Sequence, residues 1–215
     1  MNKYRIKYER NQDAKFISHL DLMRTMNRAL RRANAPLQYT QGFNPHSIMT
    51  VALPLSVGIL SECEYLDITF SKEVDCKLFA NELNAVMPSG IKIIEIRGAD
   101  EMRAFKHIET ATYEATFKSD VSPDCEKFMK MESAVMDKKT KSGEKSEDIL
   151  PDIHKLSCIK SDDLYTLSMH INVGSKRNLK PELVVSAFKK FQGVECEKLE
   201  ITRKAVYFDD GTEVF

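Results

Sequence analysis

Four arginines, Arg24, Arg28, Arg31 and Arg32, fall within nine residues with no acid among them. Residues three and four apart share a helix face, so a helix over this stretch projects the four from one side. A guanidinium fork matches two phosphate oxygens at once, and a stripe of forks is the chemistry of a phosphate-backbone contact. Lys15 precedes the stripe, and Gln41-Gly42-Phe43-Asn44-Pro45-His46-Ser47 follows it. In that run glycine permits a positive φ and Asn-Pro favours a turn. Gln41, Asn44, His46 and Ser47 supply donors and acceptors, and Phe43 supplies a stacking plane. A polar loop with one aromatic suits a base or cofactor contact. The plainer reading of both features is structural: an exposed helix whose arginines pair with acids from elsewhere, and a turn in which Phe43 anchors into the core.

Two histidines are candidate acid–base groups. His19 falls in the first turn of the helix, on its apolar side. The positive end of the helix dipole disfavours an imidazolium there, so a neutral ring is available as a base. A buried histidine bonded to a backbone carbonyl is the competing expectation. His46 closes the polar loop. With Lys15 and Arg24, the two histidines make up the minimum parts list of metal-independent ribonuclease chemistry.

The elements that must position these groups follow from periodicity. Residues 3–9 alternate as a half-buried strand. Ser18 with Asp21 forms a capping box that opens a helix running to about Asn34, before Pro36. Its apolar face is Leu22, Met23, Met26, Ala29, Leu30 and Ala33. Ile48–Leu53 and Tyr65–Phe70 read as strands, 73–87 as a helix using Val74, Leu78, Leu83, Val86 and Met87, and Ile91–Arg97 as a strand. The order β-α-β-β-α-β is that of a split βαβ, ferredoxin-like unit. The pattern restarts after a polar stretch. It has a strand at Thr112–Lys118, a helix from Ser122-Pro123 to about Met136, a charged turn or hairpin at Lys138–Asp148 and a short helix at Pro151–Leu156. A strand at Tyr165–Val173, a helix at Pro181–Phe191 and a strand at Leu199–Phe208 complete it. The expectation is an α+β fold of two tandem ferredoxin-like units with antiparallel sheets, residues 1–100 and 111–215, joined by a linker at 101–110. In the second unit, Lys138, Lys139, Lys141 and Lys145 surround Ser142-Gly143 but are diluted by acids. Ser175-Lys176-Arg177-Asn178 before Pro181 offers a weak anion site.

Charge sharpens this picture. The 215 residues carry 32 Lys+Arg and 32 Asp+Glu, a net of zero. That balance argues against indiscriminate coating of nucleic acid. By segment it is uneven: residues 1–50 carry nine basic against three acidic residues, and 51–100 carry four against eight. The positive charge is thus concentrated where the arginine stripe lies. No run approaches a membrane span, and the charged N-terminus resembles no signal peptide. Cys63, Cys76, Cys125, Cys158 and Cys196 are odd in number and scattered, which points to free thiols in a reducing, cytoplasmic setting and to no metal site. No P-loop, Rossmann fingerprint or nucleophile elbow is present, so no cofactor is expected.

The runs Lys15-Phe16-Ile17-Ser18-His19-Leu20-Asp21-Leu22-Met23-Arg24, Arg28-Ala29-Leu30-Arg31-Arg32-Ala33, Pro36-Leu37 and Gln41-Gly42-Phe43-Asn44-Pro45-His46 resemble the radical SAM-linked protein family. Ala52-Leu53-Pro54-Leu55, Gly58, Ser61, Glu64-Tyr65 and Asp148-Ile149-Leu150-Pro151 extend the likeness over nearly the whole chain. The resemblance implies a partner, a radical SAM enzyme to which such a domain is fused or beside which it is encoded. It implies an RNA or translation setting by association. The chain has no Cys-x-x-x-Cys-x-x-Cys motif of its own, so the enzyme would be a separate protein.

The expected function is an accessory protein that binds RNA through Lys15, Arg24, Arg28, Arg31, Arg32, Gln41, Phe43, Asn44 and His46. The alternatives are an endoribonuclease using His19 and His46, and a protein–protein adaptor for the radical SAM partner. The sequence sets no oligomeric state.

Overall fold

The computed structural model describes residues 2–140 and 143–215. Those residues form a mixed α+β fold with four α-helices and mostly antiparallel sheet. The chain divides into two compact units, Met1–Phe105 together with Phe215, and Lys106–Val214. No helix among the described residues is long and apolar enough to cross a membrane.

The first unit contains β1 (Asn2–Arg10), α1 (His19–Arg32), β2 (Met49–Val51), β3 (Leu60–Phe70), α2 (Cys76–Val86) and β4 (Ile91–Gly98). Its strands pair antiparallel in the order β4-β1-β3-β2. Alternation in β1 sends Tyr4, Ile6 and Tyr8 into a core shared with Leu22, Met26, Ala29 and Leu30 of α1 and Leu66, Ile68 and Phe70 of β3. Asp75 caps α2 by accepting from the backbone N–H groups of Lys77 and Leu78. The buried residues of α2 are Phe79 and Leu83, whereas Leu78, expected inward, is exposed. Phe79 takes that role, with its ring edge-on to Phe70 at 5.4 Å.

The entry to α1 is strapped down from two sides. Arg10 is buried, and its Nη2 donates to the carbonyls of Ala14 at 3.1 Å and of Lys15 and Ile17 at 3.4 Å. Gly90 lies so close that a Cβ there would sit 2.6 Å from Ala14 Cβ and 2.7 Å from Ala14 N. Backbone cannot yield as a flexible side chain does, so Gly90→Ala is expected to cost about 1–3 kcal/mol by overpacking. Urea denaturation measures it, and an unchanged midpoint would show that this contact is not tight in solution.

The second unit contains β5 (Ile108–Lys118), α3 (Cys125–Met129), β6 (Val135–Thr140), β7 (Gly143–Asp148), β8 (Ile153–Ser161), β9 (Leu164–Asn172), α4 (Pro181–Gln192) and β10 (Glu197–Phe208). Four strands pair antiparallel in the order β10-β5-β9-β8, and β6 with β7 forms a separate hairpin. Phe128 of α3 stacks on Phe188 of α4 with ring centroids 4.6 Å apart, anchoring both helices in the core. A single 3-10 turn at Phe105–His107 precedes β5, which begins at Ile108.

Two local expectations differ here. The helix expected to reach Met136 stops at Met129, because Val135 and Met136 pair with Asp148 and Glu147 in the hairpin. The Asp148 carboxylate also accepts from the backbone N–H of Ala134 at 2.8 Å, so this backbone bonds to the hairpin instead of continuing a helix. The expected helix at Pro151–Leu156 is one 3-10 turn at Leu150–Asp152, after which β8 pairs along β9. Sheet pairing wins there over local propensity. The hairpin anticipated around Lys138–Asp148 is present, but Lys141 and Ser142 lie outside the described residues.

Candidate nucleic-acid interface

The site is assembled on α1 from its first turn. Ser18 Oγ accepts from the Asp21 N–H at 3.2 Å, capping the helix, and donates to Asp21 Oδ2 at 2.7 Å, so the carboxylate meets the Ser18 hydroxyl and not its backbone N–H as the expected capping box would have it. Asp21 Oδ1 in turn accepts from Arg24 Nη1 at 3.0 Å. The hydrogen bond from Ser18, then that from Arg24, hold the Asp21 carboxyl below the usual carboxylate range.

The arginine stripe is exposed along the helix, opposite the buried Leu22, Met26, Ala29 and Leu30. Its members are not equivalent. Arg24 is engaged by Asp21 in a solvent-exposed pair. Arg28 makes one long contact, 3.4 Å to Thr25 Oγ1. The Arg31 guanidinium has no hydrogen bond or ion pair to another described residue. Arg32 donates to the carbonyl of Val86 at the end of α2 and is diverted from the stripe. Arg24, Arg28 and Arg31 span about 60° of helix surface at 100° per residue. Lys15 is half-buried, with Nζ 5.2 Å from the centroid of the Phe16 ring.

The loop beyond α1 is tied at its neck. Thr40 N–H donates to the His46 carbonyl at 2.9 Å, and His46 N–H donates to Thr40 Oγ1 at 3.1 Å. Gly42 has φ +125°, a conformation closed to L side chains, and it allows Gln41–Pro45 to project. Gln41, Phe43, Asn44 and His46 are all exposed, and Phe43 has no burial at all, with relative exposure of 111%. Phe43 is therefore not a core anchor. Ser47 is buried, and its hydroxyl donates to Asn27 Oδ1 of α1. That bond fixes the base of the loop against the helix carrying the arginines.

The histidines occupy different places. His19 is exposed at the first turn, unlike the buried histidine that its helix face suggested. His46 Nδ1 lies 3.2 Å from Thr40 Oγ1. Its neighbour Ser47 is bonded at the level of Asn27, eight residues and about 12 Å of helix rise beyond His19. No group of three or more His, Cys, Asp or Glu side chains among the described residues is placed to hold a metal ion.

Sequence reasoning missed an apolar component. Phe16 (71%), which precedes α1, and Leu20 (65%), in its first turn, are exposed, and Tyr39, Ile48 and Val57 are exposed in the same unit. Leu20 precedes Arg24 by one turn, so extending the helical row backward would have found it. Nothing in the sequence indicated that Arg10 would organise the carbonyls before α1.

The thiols take no part in this surface. All five cysteines are free. Burial, followed by the neighbouring Cys158 and Asp124, pushes the Cys125 thiol up to about 12. Burial, then Glu195 and Cys158, pushes Cys196 up to about 11. Both thiols stay protonated in the fold above the ordinary value of 9.0. Any stability they contribute is intact below that value and is lost as pH rises through the folded values. At pH 8, Cys125 is expected to alkylate about a thousandfold more slowly than in the unfolded chain. Mass-spectrometric labelling kinetics check this, and equal rates would overturn it.

Comparison with known proteins adds a family but no activity. A search of curated proteins returned no match. A solved structure described as an unknown protein from Galdieria sulphuraria is 12% identical, over 94% of this chain and 98% of its own length, with a TM-score of 0.27, which carries no fold argument. The model of a bacterial family matches residues 3–181, taking in α1, the polar loop and most of the second unit. The chain therefore belongs to the family described as an uncharacterised protein conserved in bacteria, DUF2344.

Proposed function

We propose that the chain is a non-catalytic RNA-binding accessory protein whose contact surface is the outer face of α1 and the loop Gln41–His46. One observation carries this reading: a fully exposed Phe43 projects from a loop bonded to the same helix that presents Arg24, Arg28 and Arg31. Guanidiniums take the backbone phosphates, and the ring takes a base from a single strand. We further read each unit as ferredoxin-like, supported by the strand orders β4-β1-β3-β2 and β10-β5-β9-β8 with two helices apiece. Five free thiols agree with a cytoplasmic setting. A radical SAM enzyme as working partner rests on the sequence resemblance alone.

A second reading, an adaptor that docks on the partner enzyme, draws support from the exposed Phe16, Leu20, Ile48 and Val57, which an RNA backbone does not require. The ribonuclease reading needs His19 and His46 on one phosphate, and their attachment at different levels of α1 weighs against it. The deciding experiment is retention of single-stranded RNA by the full chain and by the triple variant Arg24→Ala, Arg28→Ala, Arg31→Ala. Equal retention ends the RNA reading. A pull-down of the radical SAM partner that survives nuclease treatment favours the adaptor, and RNA shortened by pure protein favours the ribonuclease.

A further inference from the structure

The second unit holds chemistry that the RNA surface on α1 does not use. A cleft of about 230 Å³ opens between the segment Lys106–Glu109 and the loop Gly174–Arg177. The two segments approach as closely as backbone allows. Gly174 N–H donates to the Glu109 carbonyl at 3.1 Å, and a Cβ on Gly174 would lie 2.8 Å from the Ile108 carbonyl oxygen.

One wall of the cleft is held by a chain of hydrogen bonds. Arg177 Nη2 donates to Asp152 Oδ2 at 3.1 Å, and Asp152 is buried. Asn172 Nδ2 donates to Asp152 Oδ1 at 2.9 Å. A carboxylate only accepts, so the amide nitrogen of Asn172 must face it and Asn172 Oδ1 must face His154. That oxygen lies 2.7 Å from His154 Nε2, so Nε2 carries a proton and donates. The orientation of the His154 ring is thereby fixed from Asp152. Its edge meets His170 with centroids 5.5 Å apart, and His170 lies nearly parallel to Tyr207 at 5.2 Å. Burial, followed by the charges of His154 and Lys155, pushes the His170 pKa down, so this ring is neutral at physiological pH.

The cleft lining is of mixed sign. Lys106 and Lys176 have no hydrogen bond or ion pair to another described residue, and Arg177 adds a fixed guanidinium. Glu109 and Asp209 line the same cleft, with Asp209 Oδ2 3.6 Å from His107 Nδ1. A bare polyanion would meet repulsion from the two carboxylates. A ligand with a phosphate and hydroxyl donors meets cations and acceptors there, and the His170–Tyr207 pair lies outside this lining, two residues along the same face of β9 from Asn172.

We propose that this cleft binds a ribonucleotide unit, with Lys106, Lys176 and Arg177 on the phosphate, Glu109 and Asp209 accepting from ribose hydroxyls, and the His170–Tyr207 rings beside the base. The site is independent of the α1 surface and stands or falls separately from it.

The test is a titration of the full chain followed by NMR of the histidine ring protons, using uridine 5′-monophosphate, its 2′-deoxy counterpart, inorganic phosphate and a short oligouridine. The ribonucleotide is expected to shift His107 and His170. Replacing Lys106 and Lys176 together with alanine should weaken it about tenfold or more. His170→Ala should weaken the nucleotide several-fold and leave inorganic phosphate unchanged, and the deoxy compound should bind less tightly than the ribose form. Arg31→Ala on the first unit should change nothing here, which separates this site from the RNA surface. Tighter binding of the oligomer than of the mononucleotide assigns the site to a strand, and equal affinity assigns it to a free nucleotide. The proposal is overturned if neither ligand shifts His107 or His170, or if the double lysine variant binds as the parent does.

Discussion

Arg5→Ala is expected to lower the stability of the fold by about 3 kcal/mol, the lower end of the range for breaking a buried ion pair. Arg5 has no exposed surface, although Lys3 and Lys7 on the same face of the strand are part-exposed. Directly across the ladder from Asp67, it donates from Nε to Oδ1 at 2.7 Å and from Nη2 to Oδ2 at 3.0 Å. Its guanidinium also donates to the Arg103 carbonyl at 2.9 Å and lies 4.1 Å from the centroid of the Phe105 ring. Truncation leaves a buried carboxylate, a carbonyl and an aromatic face without their partner. The expected loss sits low in the range because Lys3 Nζ, which is part-exposed, remains 2.8 Å from Asp67 Oδ2. Chemical denaturation of the parent and the variant measures the effect. The double change Arg5→Met with Asp67→Leu should recover most of the loss, since it removes both charges from a space that then packs as hydrocarbon. A single variant that loses less than about 1 kcal/mol, the worth of an exposed pair, would show that the pair is effectively solvated.

The same residue marks the limit of what the sequence discloses. Alternation in residues 3–9 reads as a half-buried strand, and Tyr4, Ile6 and Tyr8 of that strand lie in the core, because one buried face and a period of two suffice for that. It also implied that Arg5 faces water. What buries Arg5 is the segment at Arg103–Phe105, about a hundred residues along the chain, and no local pattern encodes that return. The Ser18 cap with its partner Asp21 was legible since both lie within one turn. The helix after Pro123 was misjudged for the opposite reason. Asp148 and the hairpin claim the backbone at Ala134–Met136, and that competitor is distant in sequence. The arginine stripe was readable from spacing alone, but the loss of Arg32 to the Val86 carbonyl depends on where α2 ends in space. The His154–His170–Tyr207 row was half visible, since a period of two along Tyr165–Val173 puts His170 and Asn172 on one face of their strand. His154 was not, because β8 shows no alternation strong enough to be read as a strand.

The triple variant Arg24→Ala, Arg28→Ala, Arg31→Ala is expected to weaken single-stranded RNA binding about fiftyfold at 0.15 M salt. Each phosphate contact on a single strand contributes about 0.7 to the slope of log affinity against log salt, so three contacts remove about 2 units of slope. The Asp21 carboxylate does not protect Arg24 from this role. Their pair is exposed on both sides and screened by solvent, so exchanging Asp21 for a phosphate costs little. Phe43→Ala gives the contrasting result. A stacked base contributes about 1–3 kcal/mol and carries no counterion, so this variant should lose affinity at every salt concentration with an unchanged slope. The two signatures together, one in the slope and one in the intercept, are what a phosphate-plus-base surface built from α1 and its tied loop must produce. If both variants shift only the intercept, the arginines are not phosphate contacts. Leu20, exposed one turn before Arg24, would then mark the face as one that meets protein.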